Sequence, residues 1–200
     1  MKLKIFLLLF LIPFSLISQQ TKESVHQSLV NKYTKFKGIQ IDFANQSLPE
    51  RSTIYATYGN KYTIKTPCRT LYCDGQTIWN VDTQKKSVVI TSVKQNRNSF
   101  SIDEVFFNII KNYHPNELKV VDSKQKRFVL TLLPKNSESI IQNVSRLNLE
   151  VTNKSVSGIV IEVNGQNEYF RIFTIKEKNI TAIHYTFTPP KNYSVVDLRK

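Results

Sequence analysis

The residues able to do chemistry are few and poorly spaced for it. His26, His114 and His184 lie far apart in the chain, and none stands in an H-x-H or H-E-x-x-H pattern that would set two imidazoles on one metal ion. There is no G-x-S-x-G elbow and no P-loop, and 5 glycines in 200 residues leave little material for phosphate-cradling loops. Asp74 and Asp82 come nearest to an acid/base pair, yet both fall where turns favour Asp. Cys68 and Cys73 would stand about 16 Å apart along one extended strand, beyond the reach of a disulfide. A tight turn at Thr66-Pro67-Cys68-Arg69 would bring them closer, so a bond stays open without being favoured. Without a neighbouring His they form no zinc site, and they read as small packing residues. The expectation is a protein that is not an enzyme, with no catalytic residue, no metal and no cofactor.

What the sequence offers instead is a set of β-elements around Leu71-Tyr-Cys-Asp-Gly-Gln-Thr-Ile-Trp-Asn-Val-Asp82. Asp74-Gly75 signals a turn between two β-prone runs, because Gly tolerates positive φ and Asp caps the bend. In Thr77 to Val81 the side chains alternate, so Thr77, Trp79 and Val81 share one sheet face while Ile78 and Asn80 share the other. Asp82-Thr-Gln-Lys-Lys86 then returns the chain into Ser87 to Thr91, completing a meander that carries the only Trp.

Lys2 and Lys4, an apolar run from Ile5 to Ile17 and then Ser18-Gln19-Gln20 have the form of a secretory leader. The run is too short to span a membrane stably. Residues 1–18 are thus expected to be cleaved, leaving a single exported domain over 19–200. Loss of Lys2 and Lys4 takes the formal charge from +13 to +11, since the leader has no acid. The basic residues are scattered, densest at Lys85-Lys86 and Lys124 to Arg127, which is the pattern of a solvated surface and argues against a nucleic-acid partner.

Past the leader, Val25, Leu29, Tyr33 and Phe36 form one helical stripe that Gly38 is expected to end. Ile39, Ile41 and Phe43 alternate as a strand, and Thr53 to Tyr58 and Lys61 to Lys65 flank a Gly59-Asn60 hairpin turn. Ser101-Ile-Asp-Glu104 is a capping box opening a second helix whose Ile102, Val105, Phe106, Phe107, Ile109 and Ile110 cover most of its circumference. Such a helix needs burial on nearly all sides, or apolar company that is not always present. Asn112 and His114-Pro115 are expected to end it. Further strands are expected at Leu118 to Val121, Arg127 to Leu133, Arg146 to Val151, Gly158 to Val163, Glu168 to Lys176, Thr181 to Phe187 and Ser194 to Leu198. The sum is an antiparallel sheet of about ten or eleven strands with two helices.

The last segment, Tyr185-Thr-Phe-Thr-Pro-Pro-Lys-Asn-Tyr-Ser-Val-Val-Asp-Leu-Arg-Lys200, resembles the C-terminal signature of the LolA family of outer-membrane lipoprotein carriers, F-x-F-x-P-P, a short turn, then V-x-D. Asp74-Gly75-Gln76-Thr77-x-Trp79 is similar to the family's D-G-K-T-x-W, and Phe43-x-x-Gln46 to its F-x-Q start with one extra residue. The motifs run in the family's order through nearly the whole exported chain.

This resemblance implies a periplasmic, monomeric carrier: an incomplete antiparallel barrel covers an apolar cavity, closed by helices acting as a lid. Its partners would be acylated lipoproteins, an inner-membrane lipoprotein-releasing ABC transporter and an outer-membrane acceptor. A single chain of about 16 carbons is worth on the order of 12 kcal/mol when buried, so a usable carrier covers its cargo only partly. The candidate lipid contacts are Tyr62 and Trp79 on the sheet, with Val105, Phe106, Ile109 and Ile110 on the lid. A lipid-sensing or lipid-binding protein of the same fold is the alternative. Many family members lock the lid with an Arg-Pro pair in the early hairpin. Here Tyr58 and Gly59 occupy those positions, while Arg51 lies in the preceding loop. Tyr58 offers a weaker hydrogen bond than Arg, so the expected lid opens more easily; a ligand-free crystal structure with the lid tied shut by several hydrogen bonds would overturn this.

Overall fold

The computed structural model describes residues 20–46, 49–93, 112–136 and 144–199. The expected leader and the expected lid helix, with Val105, Phe106, Ile109 and Ile110, lie outside the described residues.

One helix, α1 (Lys22–Tyr33), opens the described chain. Thr21 caps it: its hydroxyl accepts from the Ser24 amide at 3.1 Å while the Ser24 hydroxyl accepts from the Thr21 amide at 3.0 Å. Its stripe of Val25, Leu29 and Tyr33 is buried. The helix stops at Thr34, four residues before Gly38, and Gly38 instead begins the first strand. A side chain there would meet the Lys178 carbonyl at 2.5 Å, so glycine allows the C-terminal segment to cross close by.

Twelve strands follow: β1 (Gly38–Asn45), β2 (Ser52–Thr57), β3 (Lys61–Lys65), β4 (Arg69–Asp74), β5 (Thr77–Asp82), β6 (Ser87–Ser92), β7 (Tyr113–Asp122), β8 (Arg127–Pro134), β9 (Val144–Thr152), β10 (Ser155–Val163), β11 (Gln166–Glu177) and β12 (Ser194–Asp197). They make one sheet in the order β12-β6-β5-β4-β3-β2-β1-β11-β10-β9-β8-β7. The sheet is open, with β7 and β12 at its edges. Every pairing is antiparallel except β12 on β6, which is parallel because the C-terminal segment crosses the sheet before it pairs. Among the described residues no helix is long and apolar enough to cross a membrane.

Two segments differ from the sequence expectation. Thr181 to Phe187 is not a strand: Ala182–Tyr185 forms a single helical turn, α2, Thr186 is extended, and residues 186–190 belong to no strand. The Thr181 amide donates to His184 Nδ1 at 3.2 Å, a local bond that competes with strand geometry. The strand expected from Leu118 begins earlier: β7 starts at Tyr113, so His114-Pro115 lies inside it. Pro is tolerated there because β7 is an edge strand, and the register with β8 slips between Pro115 and Glu117.

The hairpin turns follow their residues. Gly59 and Asn60 adopt φ of +81° and +54°, the geometry of a primed two-residue turn. Gly75 has φ +93°, and a Cβ on it would come within 2.5 Å of the Gly59 carbonyl oxygen, so the β2–β3 and β4–β5 turns press together. Asp74 Oδ1 accepts from the Gln76 and Thr77 amides at 2.9 and 2.7 Å. Replacing Gly75 with Ala therefore adds both backbone strain and a clash. The expected loss is at least about 1 kcal/mol, read as a lower urea midpoint with an unchanged m-value.

Candidate functional site

Cross-strand register sorts the β1–β6 side chains onto two faces. Ile39, Ala56, Tyr62, Cys73 and Ile78 are successive partners across β1, β2, β3, β4 and β5, and so point to one side. Ile41, Ile54, Ile64 and Leu71 make a second such row. The same face continues through Ile172, Ile159, Leu149 and Leu130 on β11, β10, β9 and β8. The result is one apolar surface running nearly the width of the sheet.

Helix α1 lies on this face, its Val25, Leu29 and Tyr33 in one cluster with Leu130, Leu147 and Leu149. Lys22 Nζ ties its start to the Asn116 carbonyl at 2.9 Å, and the Tyr33 hydroxyl accepts from the Val156 amide at 3.2 Å near its end. The helix is thereby held over the β7–β10 part of the sheet. On the other part, Tyr62 is only 3% exposed, and burial, with the Cys73 thiol beside it, pushes its phenol well above the ordinary tyrosine range.

Trp79 belongs to the opposite face. Its register partners are Tyr72 and Ile90, and it packs with Tyr72, Phe187 and Tyr193 against buried Val81, Val88 and Ile90. The segment from Lys178 to Leu198 crosses this face as a strap. It leaves the end of β11 with the Lys178 amide bonded to the Gly38 carbonyl at 2.9 Å, and rejoins the sheet where the Ser194 amide meets the Lys86 carbonyl at 2.9 Å. Between these points the buried Thr63 hydroxyl donates to the His184 carbonyl. Phe187 stacks on Tyr72 with ring centroids 5.1 Å apart. The family-like aromatics of the C-terminal signature are therefore the underside of this strap.

Of the residues singled out in the sequence, Tyr62 and Trp79 are thus on opposite sides of the sheet and cannot line one cavity together. Tyr58 sits in the β2–β3 turn and is half exposed. Arg51 is engaged on the Trp79 side, bonding Asp42 at 2.9 Å and lying 5.3 Å from the Phe173 ring centroid. Cys68 is exposed, Cys73 is buried, and they form no disulfide with each other. The histidines fall on α1, β7 and α2, and Asp74 and Asp82 serve as turn caps. The separation of Tyr62 from Trp79 had a sequence signal in part. The two-residue Gly75-Gln76 turn pairs Tyr72 with Trp79 and Cys73 with Ile78, and only the longer β3–β4 connection hides that Tyr62 joins the Cys73 side.

A single open, mainly antiparallel sheet with a helix on one face and a strap on the other is the architecture of a half-barrel. The chain belongs to the LolA family: the profile of the outer membrane lipoprotein carrier protein LolA matches residues 67–188. Among solved structures, an uncharacterized conserved protein from Thermus thermophilus has a TM-score of 0.50 at 12% identity, covering 89% of this chain and 99% of that one. A LolA superfamily protein from Nitrosomonas europaea has a TM-score of 0.42 at 11% identity, covering 84% and 99%. The lipoprotein LppX from Mycobacterium tuberculosis has a TM-score of 0.46 at 7% identity, covering 80% and 99%. At such identities the likeness concerns the fold alone. No curated protein sequence matches the chain.

Asp42 is the one buried carboxylate among the described residues, on the Trp79 side of β1. Burial by itself would raise its pKa, but hydrogen bonds from Thr53, Gln40 and Arg51 outweigh it, and the net shift is downward. A carboxyl lowered on folding adds stability above its unfolded pKa of about 4 and loses it as pH falls through the folded value. Asp42→Asn should therefore destabilise by about 1 kcal/mol at neutral pH, and the gap to the wild type should close below about pH 4. Chemical unfolding at a series of pH values reads this directly.

Proposed function

We propose that this protein is a periplasmic carrier that shields the acyl chains of lipoproteins on the Tyr62 face of the sheet. It would take them from an inner-membrane lipoprotein-releasing ABC transporter and deliver them to an outer-membrane acceptor, working as a monomer and without covalent chemistry. The family match over residues 67–188 carries the reading, and the apolar face that spans β1 to β5 and β8 to β11 gives it a physical means.

The contacts proposed are Tyr62 on the sheet with Val105, Phe106, Ile109 and Ile110 from the segment after the Ser101 capping box. An apolar helix that packs on the sheet when empty would be displaced onto acyl chains when loaded. Competition between the two keeps the net binding energy well below the on the order of 12 kcal/mol available from one fully buried chain. Trp79 supports this arrangement from behind, under the strap, rather than by touching cargo. Tyr58 stands where the family's locking Arg would be, and with Arg51 held by Asp42 the lid lacks a guanidinium from either position.

Native mass spectrometry of the protein purified from the periplasm, with and without a co-expressed lipoprotein, tests the reading. The expected result is a complex with the acylated lipoprotein, lost when the acyl chains are absent and lost in a Phe106→Asp variant that keeps a normal circular dichroism spectrum. Binding of free phospholipid or fatty acid alone would point to a lipid-sensing protein of the same fold. Apo protein under every condition would remove the carrier reading altogether.

A further inference from the structure

A second site lies away from Tyr62, where α1 meets the turn end of β7 to β10. A cavity of about 240 Å³ there is lined on the helix side by Ser24 and Ser28, on the sheet side by Phe128 and Val151, and at the rim by Lys126 and Lys154. Its lining joins apolar Val25, Leu29, Phe128 and Val151 to two helix serines and two exposed lysines.

The two lysines come from different hairpins. Lys126 closes the β7–β8 turn and Lys154 the β9–β10 turn, at φ of +50° and +60°. Gly or Asn would hold either backbone position at lower cost. That conformation is not peculiar to them, since Lys86 shares it at φ +49°; what sets them apart is convergence on one cavity. Among the described residues neither ammonium has a carboxylate partner. Glu23, beside Ser24 on the helix, lies 3.9 Å from Lys22, and Asp122, at the start of the turn that holds Lys126, accepts from the Gln125 amide at 3.0 Å.

The walls are fixed before any ligand arrives. Lys32 Nζ donates to the Lys154 carbonyl at 3.2 Å and to the Ser155 hydroxyl at 2.5 Å, clamping the β9–β10 turn to the helix. With the Lys22 bond to β7, α1 is anchored on both hairpins that supply the lysines. Pre-organised walls of this kind reduce the ordering cost of binding.

We propose that this cavity binds the head of an anionic single-chain amphiphile. Its carboxylate or phosphate lies between Lys126 and Lys154, and its first methylenes lie on Phe128. Long flexible lysines suit a charged head, and the apolar lining suits the start of an alkyl chain. The inference rests on this cavity alone and does not depend on the carrier reading.

Isothermal titration of the full exported chain below micellar concentrations provides the test. The probes are oleate, lysophosphatidylglycerol, lysophosphatidylcholine of the same chain length, and inorganic phosphate. Lysophosphatidylglycerol or oleate should bind at least about tenfold more tightly than lysophosphatidylcholine, and which of the two is tighter separates a phosphate from a carboxylate head. The double variant Lys126→Asn, Lys154→Asn should weaken the anionic probes by about tenfold or more without lowering thermal stability, because Asn accepts both turn conformations. Equal affinity for lysophosphatidylcholine, equal affinity for phosphate alone, or full binding by the double variant would each overturn the proposal.

Discussion

The structure depends on a single constraint: an open sheet has two faces and two edges, and a sheet this wide cannot leave an apolar face in water. At about 25 cal/mol per Å² of apolar surface, leaving either face bare would outweigh the few kcal/mol of net stability typical of a domain. A closed barrel would solve this by hiding one face inside. Here the sheet stays open, so its faces are covered by different devices. On the Tyr62 side α1 packs over the β7–β10 region, anchored through Lys22, Lys32 and Tyr33. On the Trp79 side the C-terminal strap runs from Gly38 to Ile90 and hides Val81 and Val88.

These devices differ in the kind of bond that holds them. The strap is stapled by aromatic stacking of Phe187 on Tyr72 and by backbone pairing of β12 with β6. Such a cover resists displacement because many of its backbone groups have partners. Helix α1 is held by its buried Val25, Leu29 and Tyr33 and by side-chain hydrogen bonds at its two ends.

The charged groups follow the same division. Asp42 and Arg51 form their ion pair on the Trp79 side, where hydrogen bonds from Thr53 and Gln40 complete the carboxylate. The buried Thr63 hydroxyl lies on that side too, whereas the buried Ser52, opposite Phe43, falls on the Tyr62 face. The basic rim at Lys126 and Lys154 lies at its margin, where an ammonium stays hydrated.

Much of this was legible in the sequence. Alternation fixed which residues share a face within each strand, Gly59-Asn60 and Asp74-Gly75 fixed two hairpins, and the α1 stripe named its own buried residues. These are local properties: the period of the side chains and the φ preference of Gly and Asn act over a few residues and need no distant partner. Tertiary structure alone decided how faces in different strands line up. That is why Tyr62 and Trp79, both apolar and both in the same meander, end on opposite sides. It also decided that Tyr185 and Phe187, which alternate like a strand, form a strap instead: the segment turns on His184 and lays its rings on Tyr72 and Lys61. Periodicity specifies a surface; only the partner that reaches it, from far along the chain, specifies what that surface becomes.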